Sequence, residues 1–496
     1  MTLAMSMVMG VIGHANDLQV STPVLDPIGQ TISFRISWRN SWNISSAPSN
    51  WDAVWLFVKR QNCLDGLWNH ALLGTNSSDH VVNGGMLQVD AVADGLGVFI
   101  RRATIGQGDI PNITVTLRMQ ETVGAAENFK VFGIEMVNIP EGNFMIGDFT
   151  GGWASSNFFT QWITAARQAA GMGSVWNYVP ANNSWGATAD LPPSFPLGYH
   201  RFYCMKYEVS QEQYADFLNT LSFSQQVART QVSPASPVGT YAMVPLGTLQ
   251  RSRSGIRIGT SGASSSIPAV YGCDLNGNGV FNEGADGQNI ACNWLSWRDL
   301  TAYLDWAALR PMTEFEFEKV CRGPVMSVPG ECAWGTAVHT AVNAGSLDHP
   351  GQAGEVSFIT ANGLCATGST NLSHGPLRCG FAATASTGRI TAGASYYGVM
   401  EMTGNVWEQC VGGWNYNYSV FTTANGDGTL SALGTANVVG WPPIGGGTAG
   451  TMLRGCAWNR TENRSVSARG EVVQGHAHSA NIGRDRSVGG RGIRNW

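Results

Sequence analysis

Glu401 and Glu408 bracket the run Tyr397-Gly-Val-Met-Glu-Met-Thr-Gly-Asn-Val-Trp-Glu408, where two carboxylates flank a Gly-Asn turn among apolar neighbours. Desolvating an acid beside Met400, Val406 and Trp407 is costly unless a cation or a hydrogen-bonded partner compensates it. Two carboxylates with turn carbonyls form an oxygen-only set of the kind a hard cation such as calcium takes. The same residues suit a capped turn beside a buried salt bridge, and residue types alone do not separate the two readings.

The loop Asp274-Leu-Asn-Gly-Asn-Gly-Val-Phe-Asn282 offers a second oxygen set. Asp274, Asn276 and Asn278 alternate, Gly279 falls where an EF-hand loop turns sharply, and Val280 offers a carbonyl. The register then fails, because the twelfth position is Ala285, between Glu283 and Asp286. The expectation is a calcium loop outside EF-hand geometry, using Asp274, Asn276, Asn278, Val280 and Glu283 or Asp286. The alternative is a solvated string of Asx turns.

Toward the end of the chain, Arg454, Arg460, Arg464, Arg469, Arg484, Arg486, Arg491 and Arg494 recur among glycines, serines and aromatics. Such arginines more often lock loops through carboxylates and carbonyls than bind an anionic partner. His476-x-His478 has no third ligand nearby in sequence, so no metal role is expected there. No Gly-x-Ser-x-Gly elbow and no phosphate-cradling glycine loop occurs.

These residues need a scaffold, and 496 residues give ample core-forming sequence for more than one domain. Only 13% of residues are charged while glycine numbers 62, which points to many turns and short strands under aromatic packing. The net charge of −5 gives no general attraction to nucleic acid or anionic membrane. Lysine occurs only at Lys59, Lys130, Lys206 and Lys319, so positive charge is almost all arginine, the residue suited to fixed, bidentate, partly buried pairing. The ten cysteines show no zinc spacing; a Cys273–Cys292 bridge and free buried thiols both fit. Segment 1–15 has the apolar core and small-residue end of a secretory signal without its positive start, so an extracellular or cell-surface location is expected. Nothing else approaches the apolar length of a membrane span.

Runs at Thr31–Trp38, Asp52–Lys59, Gly97–Arg101 and Ile113–Arg118 alternate in strand fashion between turn-rich clusters. They predict an all-β, immunoglobulin-like sandwich over 16–125, with Trp38, Trp42, Trp51, Trp55 and Trp68 as core. A polar join at Thr122–Asn128 leads to a second domain over 129–496, which opens with a strand at Phe132–Pro140. Capping boxes Ser210-x-x-Gln213, Ser296-x-x-Asp299 and Thr313-x-x-Glu316 start helices reaching Leu221, Leu309 and Val320. The second domain is α+β, with few helices and long loops.

Six stretches in order carry a resemblance: Met136-Val-Asn-Ile-Pro-Glu-Gly-Asn-Phe-Met-Ile-Gly147, Tyr207-Glu-Val-Ser-Gln-Glu-Gln-Tyr214, Leu295-Ser-Trp297, Leu309-Arg-Pro-Met-Thr-Glu-Phe-Glu-Phe-Glu318, Gly404-Asn-Val-Trp-Glu408 and Leu453-Arg-Gly-Cys-Ala-Trp458. From about Phe129 onward the chain resembles the formylglycine-generating enzyme, or sulfatase-modifying factor, family, a variant of the C-type lectin-like fold. The resemblance implies structural calcium held by the Glu401 and Glu408 side chains and the Gly404 and Val406 carbonyls. Aerobic members of the family hold copper through two cysteines after an Arg-Gly-Gly-Ser motif. Aligned on Arg454-Gly455, those positions are Arg460 and Ser465, and neither can supply the thiolate that Cu(I) requires. The His-x-x-x-His-x-Glu iron motif of the ergothioneine-synthase branch is absent.

The expectation is therefore a non-catalytic, calcium-stabilised structural or binding protein of a surface or extracellular assembly, without copper. The alternative is a metal-dependent formylglycine-generating-type oxidase with rearranged ligands such as Cys410 or Cys456. Protein partners or self-assembly are expected on the face from Trp458 to Arg494, with Trp458, Arg460, Arg464, Arg484 and Arg486 as contacts. Carbohydrate is a further candidate partner, although the Glu-Pro-Asn or Gln-Pro-Asp motif of sugar-binding lectins is missing.

Overall fold

The computed structural model describes residues 17–123, 127–149, 158–172, 191–263, 267–412, 418–442, 450–468 and 484–496. The signal-like segment 1–15, Arg469 and the His476-x-His478 pair lie outside these residues.

The run Asp52-Ala-Val-Trp-Leu-Phe-Val-Lys59 is almost wholly apolar, as a strand covered on both faces must be. It forms β4 (Asp52–Asn62), and its alternating side chains serve two cores. Val54, Leu56 and Val58 pack with Ile32, Phe34, Val115 and Leu117 inside a sandwich. Ala53, Trp55 and Phe57 face the other way, into a larger core with Tyr214, Tyr303 and Trp306.

One sandwich sheet joins β1 (Gln19–Val20), β2 (Val24–Asp26), β3 (Thr31–Asn43), β9 (Gly106–Arg118) and β6 (Val81–Val82). The other contains β4, β5 (Trp68–Ala71), β7 (Leu87–Ala91) and β8 (Val98–Arg102), and it does not stop at the polar join. Strand β10 (Glu127–Ile139) pairs β4 antiparallel from Glu127↔Asn62 to Val137↔Asp52. Its far end pairs β13 (Phe202–Met205), which pairs β24 (Gly492–Asn495), which pairs β16 (Arg310–Pro311). The sandwich and the domain after it thus share one eight-stranded sheet rather than meeting at a linker.

The second domain is α+β with long loops, and five α-helices occur among the described residues. Besides α1 (Ala165–Ala170), the reciprocal Ser210, Ser296 and Thr313 boxes open α2 (Gln211–Leu218), α4 (Trp297–Trp306) and α5 (Glu314–Arg322). Helix α3 (Phe223–Arg229) starts with the same kind of box, Ser222 with Gln225. Short pairs brace the loops: β11 (Phe144–Ile146) with β12 (Gln161–Ile163), β14 (Ile256–Thr260) with β15 (Val270–Cys273), β17 (Thr340–Val342) with β20 (Leu364–Ala366), and β18 (Leu347–Asp348) with β19 (Val356–Ser357). A last sheet sets β21 (Trp407–Val411) between β22 (Thr451–Arg454) and β23 (Val488–Gly489).

Of the two readings open for Cys273 and Cys292, the free thiols hold and the bridge does not; all ten cysteines are free thiols, nine of them buried. The two pack as small apolar side chains. Asn282 closes the polar loop instead, donating its N–H to the Cys273 carbonyl at 2.8 Å and accepting the Cys273 N–H on Oδ1 at 2.9 Å.

Trp55 fastens the sandwich strand β4 to the second domain. Its indole N–H donates to the Ala307 carbonyl at 2.9 Å, and the Arg494 guanidinium lies 4.1 Å from its ring centre. Trp55→Ala should cost about 3–5 kcal/mol and lower one shared calorimetric transition. Two separate transitions, only one of them displaced, would mean that the sandwich and the remainder unfold independently.

Candidate functional site

The Gly-Asn turn before β21 is a strained backbone held by side chains. Glu401 and Asn405 adopt φ of 55° and 69°, and Gly404 adopts φ of 93° with the Ala366 carbonyl 2.7 Å from where a Cβ would stand. Asn405 accepts the Leu377 N–H on Oδ1 at 2.7 Å and donates through Nδ2 to Glu208 Oε2 at 2.5 Å. The other Glu208 oxygen accepts the Val406 N–H at 3.1 Å. The Gly404 N–H reaches the Gly455 carbonyl at 2.6 Å, which fastens this turn to the Arg454-Gly455 turn.

Glu408 is the second residue of β21, and β23 runs parallel beside it, with Gly489 opposite Glu408. Two residues further on, Arg491 meets the carboxylate with both prongs: Nε to Oε2 and Nη2 to Oε1, each at 2.8 Å. The same guanidinium donates to the carbonyls of Met205, Lys206 and Met400. The salt bridge weighed as the alternative to calcium is therefore present, and both Glu408 oxygens are engaged by Arg491. Glu401 stands differently: its Oε1 accepts the Gly380 N–H at 2.9 Å, while its Oε2 is buried without a partner. Burial pushes the Glu401 carboxyl up to about 7, against the pull of Arg491. Burial also raises Glu208, with Glu408 and Glu401 adding repulsion and Arg491 opposing. Glu208 is the functional side chain that sequence reasoning missed. It lies inside the quoted Tyr207-Glu-Val-Ser motif, but nothing local marks it as the clamp on a turn nearly two hundred residues away, 197 positions from Asn405.

In the Asp274 loop, Asp274 Oδ1 accepts the Gly277 N–H, Asn276 Oδ1 the Asn278 N–H, and Asn278 Oδ1 the Val280 N–H, all within 2.9 Å. These are the Asx turns of the alternative reading. Asn278 Nδ2 donates to Glu283 Oε2 at 2.6 Å, so Glu283 folds back on the loop. Asp286 is fully buried; its Oδ2 accepts the Glu283 N–H at 2.7 Å and its Oδ1 has no partner.

The expected partner face divides. Trp458 is only 1% exposed, packs with Leu377 and Phe381, and donates its indole N–H to the Arg486 carbonyl at 3.1 Å, so it is core and not a partner contact. Arg484 is locked to Asp299, the cap-box residue of α4, at 2.8 Å. Arg460 pairs loosely with Glu462 at 3.6 Å, and Arg460, Arg464 and Arg486 keep part of their surface in solvent. Among the described residues, no three His, Cys, Asp or Glu side chains are grouped as a metal site.

Residues 124–485 match the family described as sulfatase-modifying factor enzyme 1-like domain. No curated protein matches.

Glu401 gives this site a defined pH signature. A carboxyl whose folded value stands near 7 against about 4.5 destabilises the fold progressively as pH rises between those values, and the penalty is complete above the higher one. In calcium-free buffer, Glu401→Gln should therefore add on the order of 2–3 kcal/mol above pH 7 and almost nothing near pH 4, read from urea unfolding. A gain independent of pH would show that the Glu401 charge is not what the fold pays for.

Proposed function

The chain belongs to the sulfatase-modifying factor enzyme 1-like domain family, and on that premise we propose that it is a non-catalytic binding or structural protein of a cell-surface or extracellular assembly, stabilised by calcium. The observation that carries this reading is the donor set beside the Arg454-Gly455 turn. Arg460 and Ser465 occupy the positions aligned with the copper cysteines, and neither offers a soft thiolate. The nearby thiols do not replace them. Cys456 is fully buried, donates to the Glu462 carbonyl at 3.0 Å, and burial pushes its thiol well up. Cys410 is fully buried, and burial and the adjacent Glu408 disfavour its thiolate. Copper does not fit these residues. Copper titration separates this reading from the oxidase: the protein should compete poorly with a Cu(I) chelator. One tightly held Cu(I), lost on Cys456→Ser or Cys410→Ser, would instead establish the enzyme.

Calcium has its best support in the Asp274 loop. Side-chain oxygens engaged by one N–H keep a second lone pair for a cation. Asp274, Asn276, Asn278, the Val280 carbonyl and the unpartnered Asp286 Oδ1 would hold it, with Asp274 and Glu283 as the charged neighbours of Asp286. Glu283, turned toward Asn278, fits less well than Asp286. At the Gly-Asn turn, Glu401 Oε2 with the Gly404 and Val406 carbonyls would hold a cation only beside Arg491, which already balances Glu408.

Calcium at a hundredfold excess over its Kd should stabilise the fold by about 2.7 kcal/mol, so EGTA should lower the melting temperature. Asp286→Asn should abolish most of that response. Melting curves that superimpose with and without EGTA would remove calcium from the account.

A further inference from the structure

Strand β10 has one edge that is only partly used. It pairs β4 through eleven positions but meets β13 only from Met136 to Ile139. The Lys206 N–H donates to the Glu135 carbonyl at 2.9 Å, the last main-chain bond on that side among the described residues. Strand alternation then places the N–H and C=O groups of Gly133 and Val131 along the same edge, and no strand among the described residues pairs with them there.

A cavity of about 260 Å³ lies along this edge. Val131 to Glu135 line it together with Leu18 to Val20, Glu212 and Asp216 of α2, and Tyr303 and Trp306 of α4, which contribute aromatic surface. Glu212 and Asp216 stand one helical turn apart on the same side of α2. Glu212 keeps part of its surface in solvent and Asp216 is half-buried; crowding along the groove raises both carboxyls, with Asp216 adding repulsion on Glu212 and Lys130 opposing on Asp216. Lys130 is itself drawn over the Trp68 ring, 5.0 Å from its centre. Two polar atoms of the lining residues, Glu135 Oε1 and Trp306 Nε1, are buried without partners. Open main-chain groups, two under-compensated carboxylates and aromatic surface thus converge on one groove.

We propose that this groove takes an extended peptide segment with Lys or Arg at alternate positions, added as a strand to the free edge of β10, its basic side chains directed at Glu212 and Asp216. Main-chain bonds to Val131 and Gly133 supply affinity independent of side chain, and the acid pair supplies selection. The period of two in a strand matches alternate basic residues to one wall of the groove. The site uses no metal, so it is tested independently of calcium and copper content.

The experiment uses fluorescein-labelled hexapeptide pools in which Lys or Glu alternates with Val and Thr, titrated by anisotropy against the full chain. The Lys pool should bind at least about tenfold more tightly than the Glu pool, and Glu212→Gln with Asp216→Asn should remove that preference without lowering the melting temperature. Methylating alternate peptide nitrogens should abolish binding in one phase and spare it in the other, a pattern that charge attraction alone cannot give. Equal binding of both pools, no binding of either, or tolerance of methylation at every position would overturn the proposal and leave the two acids as guards against edge-to-edge aggregation.

Discussion

Buried guanidinium–carboxylate pairing is the constraint on which this structure depends. Arg310, Arg322, Arg454 and Arg491 are each 2% exposed or less, and each faces a buried glutamate. Removing one member of such a pair strands a charge in the interior, which costs far more than the intact pair contributes. Helix α5 makes the point most clearly. Its Glu-Phe-Glu-Phe-Glu sequence is buried on every side, so all three carboxylates need partners. Arg310 meets Glu316 with two bonds, Arg322 meets Glu318 and Glu331, and Arg454 meets Glu314 and Glu318. Those arginines come from β16, from α5 itself and from β22, so charge pairing holds the helix in the frame that carries the closing turn. Arginine suits this role because its fork is planar and always charged.

The same logic organises the Gly-Asn turn. A guanidinium from beyond β23 stands against Glu408, where oxygen chemistry alone suggested a cation. Glu208 bridges Asn405 and Val406 from below. What remains open to a cation is the single orphaned oxygen of Glu401. Beyond the Arg454-Gly455 turn, Arg460 and Ser465 stand at the positions where the resemblance implies soft ligands.

Local signals in the sequence were read well. Alternation marks β3, β4, β8, β9 and β10, and three capping boxes mark α2, α4 and α5. Helix α3 carries the same signature in Ser222-x-x-Gln225, so it too is legible in the sequence. Long-range facts were not legible. Nothing in Glu127–Ile139 says that its strand joins two cores, because period-two alternation fixes faces but not neighbours. Glu408 and Arg491 are 83 residues apart, and residue types offered calcium and a salt bridge on equal terms. Trp458 looked like a partner contact because it sits among arginines, yet the indole is too apolar to be left outside when Leu377 and Phe381 are at hand.

A double-mutant cycle on Arg491 and Glu408 tests the pairing account most directly. Arg491→Met and Glu408→Gln should each cost about 3–5 kcal/mol in urea unfolding, because each strands a polar partner in the core. The double variant should cost no more than either single change, giving a coupling energy of several kcal/mol. Strictly additive losses, or near-neutral single variants, would contradict the claim that this ion pair holds the closing turn in place.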